Sequence, residues 1–330
     1  MKKIAFHINA IDVPRSEEGN RHIHKKTTPL LGGVGIFLSF LFGFVLFGEQ
    51  SIRMNSILIS SFIIVLTGII DDINPIRAWQ KLIGHFIAAI VIVFYGGILL
   101  NNISAFGYQI DFGILSYPLT IIFIIACTNI INLIDGMDGL SGGISSIFYF
   151  TIAVLSFYQG RYGSLVLLLC LIMLGATLGF LFHNFYPATI FAGDCATFMG
   201  FIISIITLLE FKGPALIGFF VPITIIGIPI LDTLFAIIRR LLKGQTPFQA
   251  DKQHLHHQLL GMNFSQRTTV LIIWGINLLF ASASMFYTII NQKVGQIIYI
   301  IIFLIVIWFI LKTSIITDKT KKLKINKKEK

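Results

Sequence analysis

Charge is what this chain has least of. Only 15 of its 330 residues are Asp or Glu, and charged residues make up 12% of the whole, where a soluble domain carries roughly twice that share. Such a chain cannot clothe a globular surface in wetted groups, which excludes an ordinary soluble enzyme. Cysteine is scarce as well. Cys127, Cys170 and Cys195 stand singly, without paired or metal-ligand spacing, so a disulfide scaffold and a Cys-rich zinc site are excluded and the three read as reduced packing residues. The polar start gives no sign of a cleavable signal peptide. No internal repeat is visible, which counts against transporter folds built from two inverted halves.

What is present is apolar. Hydrophobic residues reach 55%, with 31 Phe, and the mean hydropathy is +0.86. The bilayer is therefore the expected solvent. Runs near the ~20 residues needed to cross it fall at 31–48, 54–70, 82–100, 117–134, 144–158, 163–182, 197–209, 216–238, 268–290 and 295–311. Backbone polar groups in lipid must be satisfied within the segment. The expected fold is thus an all-α polytopic membrane protein with about ten transmembrane helices. Residues 1–311 read as one membrane-embedded domain, and 312–330 as a basic cytoplasmic tail.

Alternating sides give a sharp charge split. With 1–30 inside, the inner segments carry 21 Lys and Arg; the outer ones carry Arg53, Arg161, Lys212 and Lys293, and 21 plus 4 recovers all 25. By the positive-inside rule both termini are cytoplasmic. The net charge of +10 then reflects topology and anionic lipid rather than nucleic acid.

Six acids resist a bland explanation as solvated loop residues. Asp71, Asp72, Asp135, Asp138, Asp194 and Asp232 lie at the ends of apolar spans in base-poor loops, all on the inner side. Carboxylates near a membrane are costly and persist where they bind ions or substrate.

Five segments converge there. Arg21–Gly33 supplies Lys25 and Lys26 as mobile charges for phosphate, although a positive-inside flank would look the same. Gly68–Pro75 carries the Asp71–Asp72 pair, which suits a hard metal or a general base because adjacent carboxylates raise each other's pKa unless a cation neutralises them. Asn129, Asn132 and Asp135 stand at i, i+3 and i+6, so a continued helix would align them in one polar stripe. Asp138 follows Gly136, which permits a bend; a polar helix–helix seam is the rival reading. Phe191–Gly200 sets Asp194 before a span, a weak signal alone because Gly-Asp is a common cap. The loop from Arg239 and Arg240 to His257 holds Asp251, His254, His256 and His257. With no second Cys or His cluster, phosphate contact suits that loop better than zinc. Together, carboxylates with Mg²⁺ can clamp a diphosphate and cationic side chains can balance developing charge, which is the inventory of phosphoryl transfer.

With these motifs in order, the chain resembles the polyprenyl-phosphate N-acetylhexosamine-1-phosphate transferases, and more distantly the phospho-MurNAc-pentapeptide translocase. The match runs from about Asp12 to Leu260 through the DD of 71–72, NxxNxxDGxDGL of 129–140, FxGD of 191–194, PxxDT of 229–233 and DxxHxHH of 251–257. The resemblance implies transfer of HexNAc-1-phosphate, GlcNAc-1-phosphate first, from a UDP-sugar to undecaprenyl phosphate. UMP is released, Mg²⁺ or Mn²⁺ is required, and a cell-envelope polysaccharide such as teichoic acid or lipopolysaccharide begins there. By the same resemblance Asp71 or Asp72 deprotonates or positions the lipid phosphate, and Asp194 ligates the metal. Asn132, Asp135 and Asp138 shape the nucleotide site, Phe191 stacks on uracil, and His254, His256 and His257 contact the diphosphate. Direct attack by the lipid phosphate is the preferred route, with a phospho-Asp intermediate as the other. Oligomeric state is open, a homodimer being one option.

Two departures stand out. Cys195–Ala196–Thr197 replaces the family's x-Gly-Ser, putting an alanine where glycine would lend freedom to the loop. Relatives also usually carry an apolar span before the Asp-x-Pro of 12–14. The competing class is a secondary transporter or ion channel, which would set its acids near the midplane with access to both sides.

Overall fold

The computed structural model describes residues 1–13, 27–105, 108–210 and 255–312, with isolated helical positions at 227, 230, 233 and 237. The described chain is mostly helical. In order it forms α1 (Lys2–His7), a two-residue antiparallel pairing of β1 (Ile11–Asp12) with β2 (Thr28–Pro29), α2 (Gly32–Phe47), α3 (Ile52–Ile73) and α4 (Ala78–Ile90). A hairpin of β3 (Asn102–Ala105) and β4 (Tyr108–Asp111) follows, then α5 (Ser116–Ile134), α6 (Leu140–Tyr158), α7 (Leu165–Asn184) and α8 (Thr197–Glu210). The last helices are α9 (Leu255–Gly261), α10 (Gln266–Met285) and α11 (Gln292–Lys312).

Among the described residues, seven helical segments are long and apolar enough to cross a membrane: Ile52–Ile73, Ala78–Tyr95, Gly113–Ile134, Leu140–Tyr158, Leu165–Asn184, Gly193–Glu210 and Gln266–Ile290. The segment expected at 31–48 folds as a shorter apolar helix, and the one at 216–238 lies outside the described residues apart from the four isolated positions. The protein is a multi-pass helical membrane protein. It divides into two compact units, Met1–Ile223 and Thr224–Lys330.

In the first unit, α6 packs on α7, α5 on α8, α2 on α7 and α3 on α4. The starts are capped by the expected residue type. Ser51 accepts from the Met54 N–H and Ser164 from the Leu167 N–H, each satisfying a donor the helix leaves open. Polar side chains join the helices from within. Tyr149 donates its hydroxyl to the Met199 carbonyl at 2.9 Å, Ser60 to the Ala88 carbonyl at 2.9 Å and Ser146 to Thr177 at 3.1 Å. Where two backbones come closest a glycine is required: a Cβ on Gly200 would lie 2.6 Å from the Cys127 carbonyl oxygen, the close approach that small residues give membrane helices. α6 and α8 bury most of their surface in protein, while α3, α4 and α5 leave a broad apolar face outward.

In the second unit, α9 leads into α10, whose Ser265 cap accepts from the Thr268 N–H. The chain then turns so that α11 runs back along α10.

Candidate active site

Four of the five expected segments meet at one end of the first unit. Phe191 donates its N–H to the Pro29 carbonyl at 2.8 Å and accepts from Gly32 at 2.7 Å, while Gly33 donates to the Ala192 carbonyl at 3.0 Å. This short ladder fixes the 191–194 turn beside the start of α2. Gly68 on α3 permits the same closeness from another side, since a Cβ there would lie 2.9 Å from both Sγ and backbone N of Cys195.

Asp71 and Asp72 fall inside the last turn of α3, which runs to Ile73, whereas the sequence places them where the span gives way to a loop. Carboxylates at a helix C-terminus oppose the macrodipole, so they need partners, and each has one. The Ile76 N–H donates to Asp71 Oδ1 at 2.8 Å, and the Asp194 N–H donates to Asp72 Oδ1 at 2.8 Å. Lys81, in the first turn of α4, lies between the acids: its Nζ pairs with Asp71 Oδ2 at 2.7 Å and with Asp194 Oδ2. Gly193 makes this possible. Its φ is +67°, and a Cβ there would run into the Asp72 carboxylate.

Sequence reasoning misses Lys81. By hydropathy it is a loop base at 71–81, but the helix begins at Ala78 and carries it inward. A cation ten positions after Asp71, opening a run in which His85 is the one polar side chain before Tyr95, is the available signal.

The Asn–Asp motif departs from a continued helix at its third member. α5 ends at Ile134, and Asp135 is the residue beyond it, with ψ at 41°. The stripe therefore stops after Asn132. The chain leaves the helix at Asp135 and Gly136, where a bend is expected, and turns again at Gly139, with φ +81° at the start of α6. Asp135 accepts from the Ser141 hydroxyl. Burial pushes its carboxyl up to about 6, with the negative charges of Asp194 and Asp138 acting the same way against that hydrogen bond. Asp138 is 2% exposed and accepts from the Ala188 N–H at 2.8 Å. Asn184, unremarked in the sequence, accepts from the Gly139 N–H at 2.9 Å and donates to the Ile190 carbonyl at 3.0 Å. Asp138 and Asn184 thus tie the 185–190 loop to the motif, so one Asp138 oxygen holds the loop. Asn129 donates to the Ile125 carbonyl at 2.7 Å and meets His85 Nδ1 at 3.2 Å.

Ala196 does not disturb the turn. Gly193 supplies the left-handed residue, and Ala196 sits fully buried in a 3-10 turn. Lys25, Arg239, Arg240 and His254 lie outside the described residues; His256 and His257 fall in α9, and the contacts expected of their side chains lie outside what the structure describes.

The described residues contain no group of three or more His, Cys, Asp or Glu side chains arranged around one ion position. The donor set nevertheless fits a hard cation. Asp72 Oδ2 is buried with no hydrogen-bond partner among the described residues, and Asp194 lies beside it. Mg²⁺ is ordinarily held by one or two carboxylates plus substrate phosphates, so Asp72 and Asp194 are the residues that would hold it.

The family model for glycosyl transferase family 4 matches residues 54–210, the stretch that carries this cluster. The chain is 38% identical to the "Probable undecaprenyl-phosphate N-acetylglucosaminyl 1-phosphate transferase" of Bacillus subtilis over 97% of its own length and 89% of that relative. This chain belongs to glycosyl transferase family 4. Two further members are similar: a decaprenyl-phosphate N-acetylglucosaminephosphotransferase of Mycobacterium tuberculosis, 31% identical over 87% of this chain and 78% of that one, and an undecaprenyl-phosphate alpha-N-acetylglucosaminyl 1-phosphate transferase of Yersinia pestis, 28% identical over 82% and 75%. As a family 4 protein the chain is an enzyme of the glycosyl-1-phosphate transferase type. Its match begins at residue 54 and so spans Asp71, Asp72, Lys81, Asn129, Asp135 and Asp194.

Proposed function

We propose that this enzyme transfers N-acetylhexosamine-1-phosphate, GlcNAc-1-phosphate first, from a UDP-sugar to undecaprenyl phosphate. The reaction is Mg²⁺-dependent and takes place at the cytoplasmic face of a bacterial inner membrane. The observation that carries the reading is the Asp71–Lys81–Asp194 bridge, with Asp72 beneath it, at one end of an apolar helix bundle.

A phosphate oxygen of the lipid forms a bond to the sugar-bearing phosphorus of the donor. The bridging oxygen to the other phosphorus leaves with UMP, and the new diphosphate stays on the lipid. Positioning and charge balance do most of this work. Asp71 is committed to Lys81 and Ile76, which leaves the unpaired oxygen of Asp72 as the group that would hold the cation beside which the acceptor phosphate would sit. Lys81 is the cation at hand for the charge that develops on the leaving UMP. Bound Mg²⁺ supplies further neutralisation across the diphosphate. Exposed Ile70, Ile73, Trp79 and Ile83 flank the acids on α3 and α4, so a lipid chain can lie within a turn of the site. A cation pathway suits this arrangement poorly, since the acids gather at one end of the helices rather than midway.

The test is UMP release by the purified protein with a panel of UDP-sugars, undecaprenyl phosphate and Mg²⁺. UDP-GlcNAc should be used best, and Asp194→Asn should abolish release while the protein still inserts. Failure of every UDP-HexNAc overturns the substrate reading, and full activity of Asp194→Asn overturns the role of Asp194.

A further inference from the structure

His85 lies one helical turn beyond Lys81 on α4, on the same face, and is 3% exposed. Its Nδ1 is 3.2 Å from Asn129 Nδ2, and that same Nδ2 is 2.7 Å from the Ile125 carbonyl oxygen. The two contacts together fix both groups. A carbonyl can only accept, so the Asn129 atom facing Ile125 must be the amide nitrogen. Its second hydrogen then points to His85 Nδ1, which must carry a lone pair. His85 is held as the neutral tautomer with its proton on Nε2. Both Asn129 amide hydrogens are spent, and among the described residues Oδ1 accepts nothing.

We infer that His85 is a positioning residue: it fixes the Asn129 amide so that Asn129 meets the substrate only as an acceptor, reading a hydroxyl or N–H of the sugar nucleotide. Phosphate oxygens at neutral pH offer acceptors and no donors, so an acceptor-only Asn129 has no part in gripping the diphosphate. That grip is left to Lys81 and the carboxylate-held cation. Asn132, one turn further along α5, has no such partner among the described residues and keeps both its donors and its acceptor.

The inference rests on the sugar-nucleotide reading above, and one titration separates the two. UDP-GlcNAc with Mg²⁺ is titrated calorimetrically into the full chain in detergent. No binding by the wild-type protein overturns the donor reading, and this inference with it. Where the wild type binds, His85→Leu should weaken binding about tenfold, the size of one lost orienting hydrogen bond. His85→Gln, whose amide oxygen can accept from Asn129, should restore binding to within about threefold of wild type. Leu binding as tightly as wild type, or Gln binding as poorly as Leu in a protein of unchanged melting temperature, overturns the inference. Asn129→Leu gives a second arm that leaves His85 intact. It should weaken UDP-GlcNAc about tenfold and leave Mg²⁺–pyrophosphate binding unchanged; parallel loss of pyrophosphate binding would mean that Asn129 grips phosphate, and overturns the proposal.

Discussion

The backbone N–H of Asp194 donates to the Asp72 carboxylate at 2.8 Å, joining positions 122 residues apart. Asp72 ends one helix, where the macrodipole disfavours an anion, and meets the start of the turn leading into α8, where exposed N–H groups favour one. The contact therefore offsets a local cost of α3 with an open donor of the 193–196 turn. It also sets Asp72 and Asp194 side by side.

Lys81 is the cation that makes three neighbouring carboxylates tolerable. Lys81→Met should lower the rate of UMP release by about 100-fold, the typical loss for one preorganised charge. It should also destabilise the protein by about 1–3 kcal/mol, because two charge-assisted bonds disappear. Turnover and thermal unfolding in detergent measure both. Wild-type turnover in Lys81→Met would remove Lys81 from the reaction.

Gly193 combines a positive φ with contact on Asp72. Gly193→Ala should cost about 1–2 kcal/mol from the left-handed backbone alone and lose most activity as the carboxylate is displaced. A melting curve and a UMP assay check this. An active, equally stable alanine variant would show that the turn has room for a Cβ.

The carboxyl of Asp135 is pushed up to about 6 from an ordinary 3.8. The folded state therefore holds a proton in that window which the unfolded chain has released. Its contribution to stability is complete below about 3.8 and is lost as pH rises through about 6. Asp135→Asn, which cannot ionise, should melt higher than wild type above pH 6, with the gap closing as pH falls toward 4. Melting temperatures across that range test it; a gap independent of pH would mean that Asp135 has an ordinary carboxyl.

At the opposite end of the bundle, Arg161 pairs with Glu210 at 2.8 Å, and Ser156 donates to the same carboxylate at 3.3 Å. This pair is far from the acids along the helices and is partly open to solvent. Glu210→Gln should change stability by less than about 1 kcal/mol and leave UMP release within about twofold of wild type. A large activity loss would show that the two ends are coupled.

Topology has a direct check, because the three native cysteines are all buried. Single cysteines at the exposed positions Asn74 and Asn101 should label from opposite sides in sealed inverted vesicles, Asn74 from the cytoplasmic face. Labelling of both positions from one side would refute the orientation.

Composition and periodicity by themselves determined the helical membrane fold and most span positions. The ordered motifs pointed to the reaction class and to Asp71, Asp72, Asn129, Asp135 and Asp194. These are legible because lipid forbids stray charge and because the required groups recur as short local patterns. Tertiary structure decided what depends on distance between segments. It placed Lys81 between acids ten and 113 positions away, assigned one Asp138 oxygen to holding a loop, and brought His85 onto Asn129. It also set the turn at Gly139, which packs against Phe185 and whose N–H is held by Asn184. A lone charge or imidazole in an apolar helix acquires its meaning from the helix it faces, and sequence spacing does not carry that information.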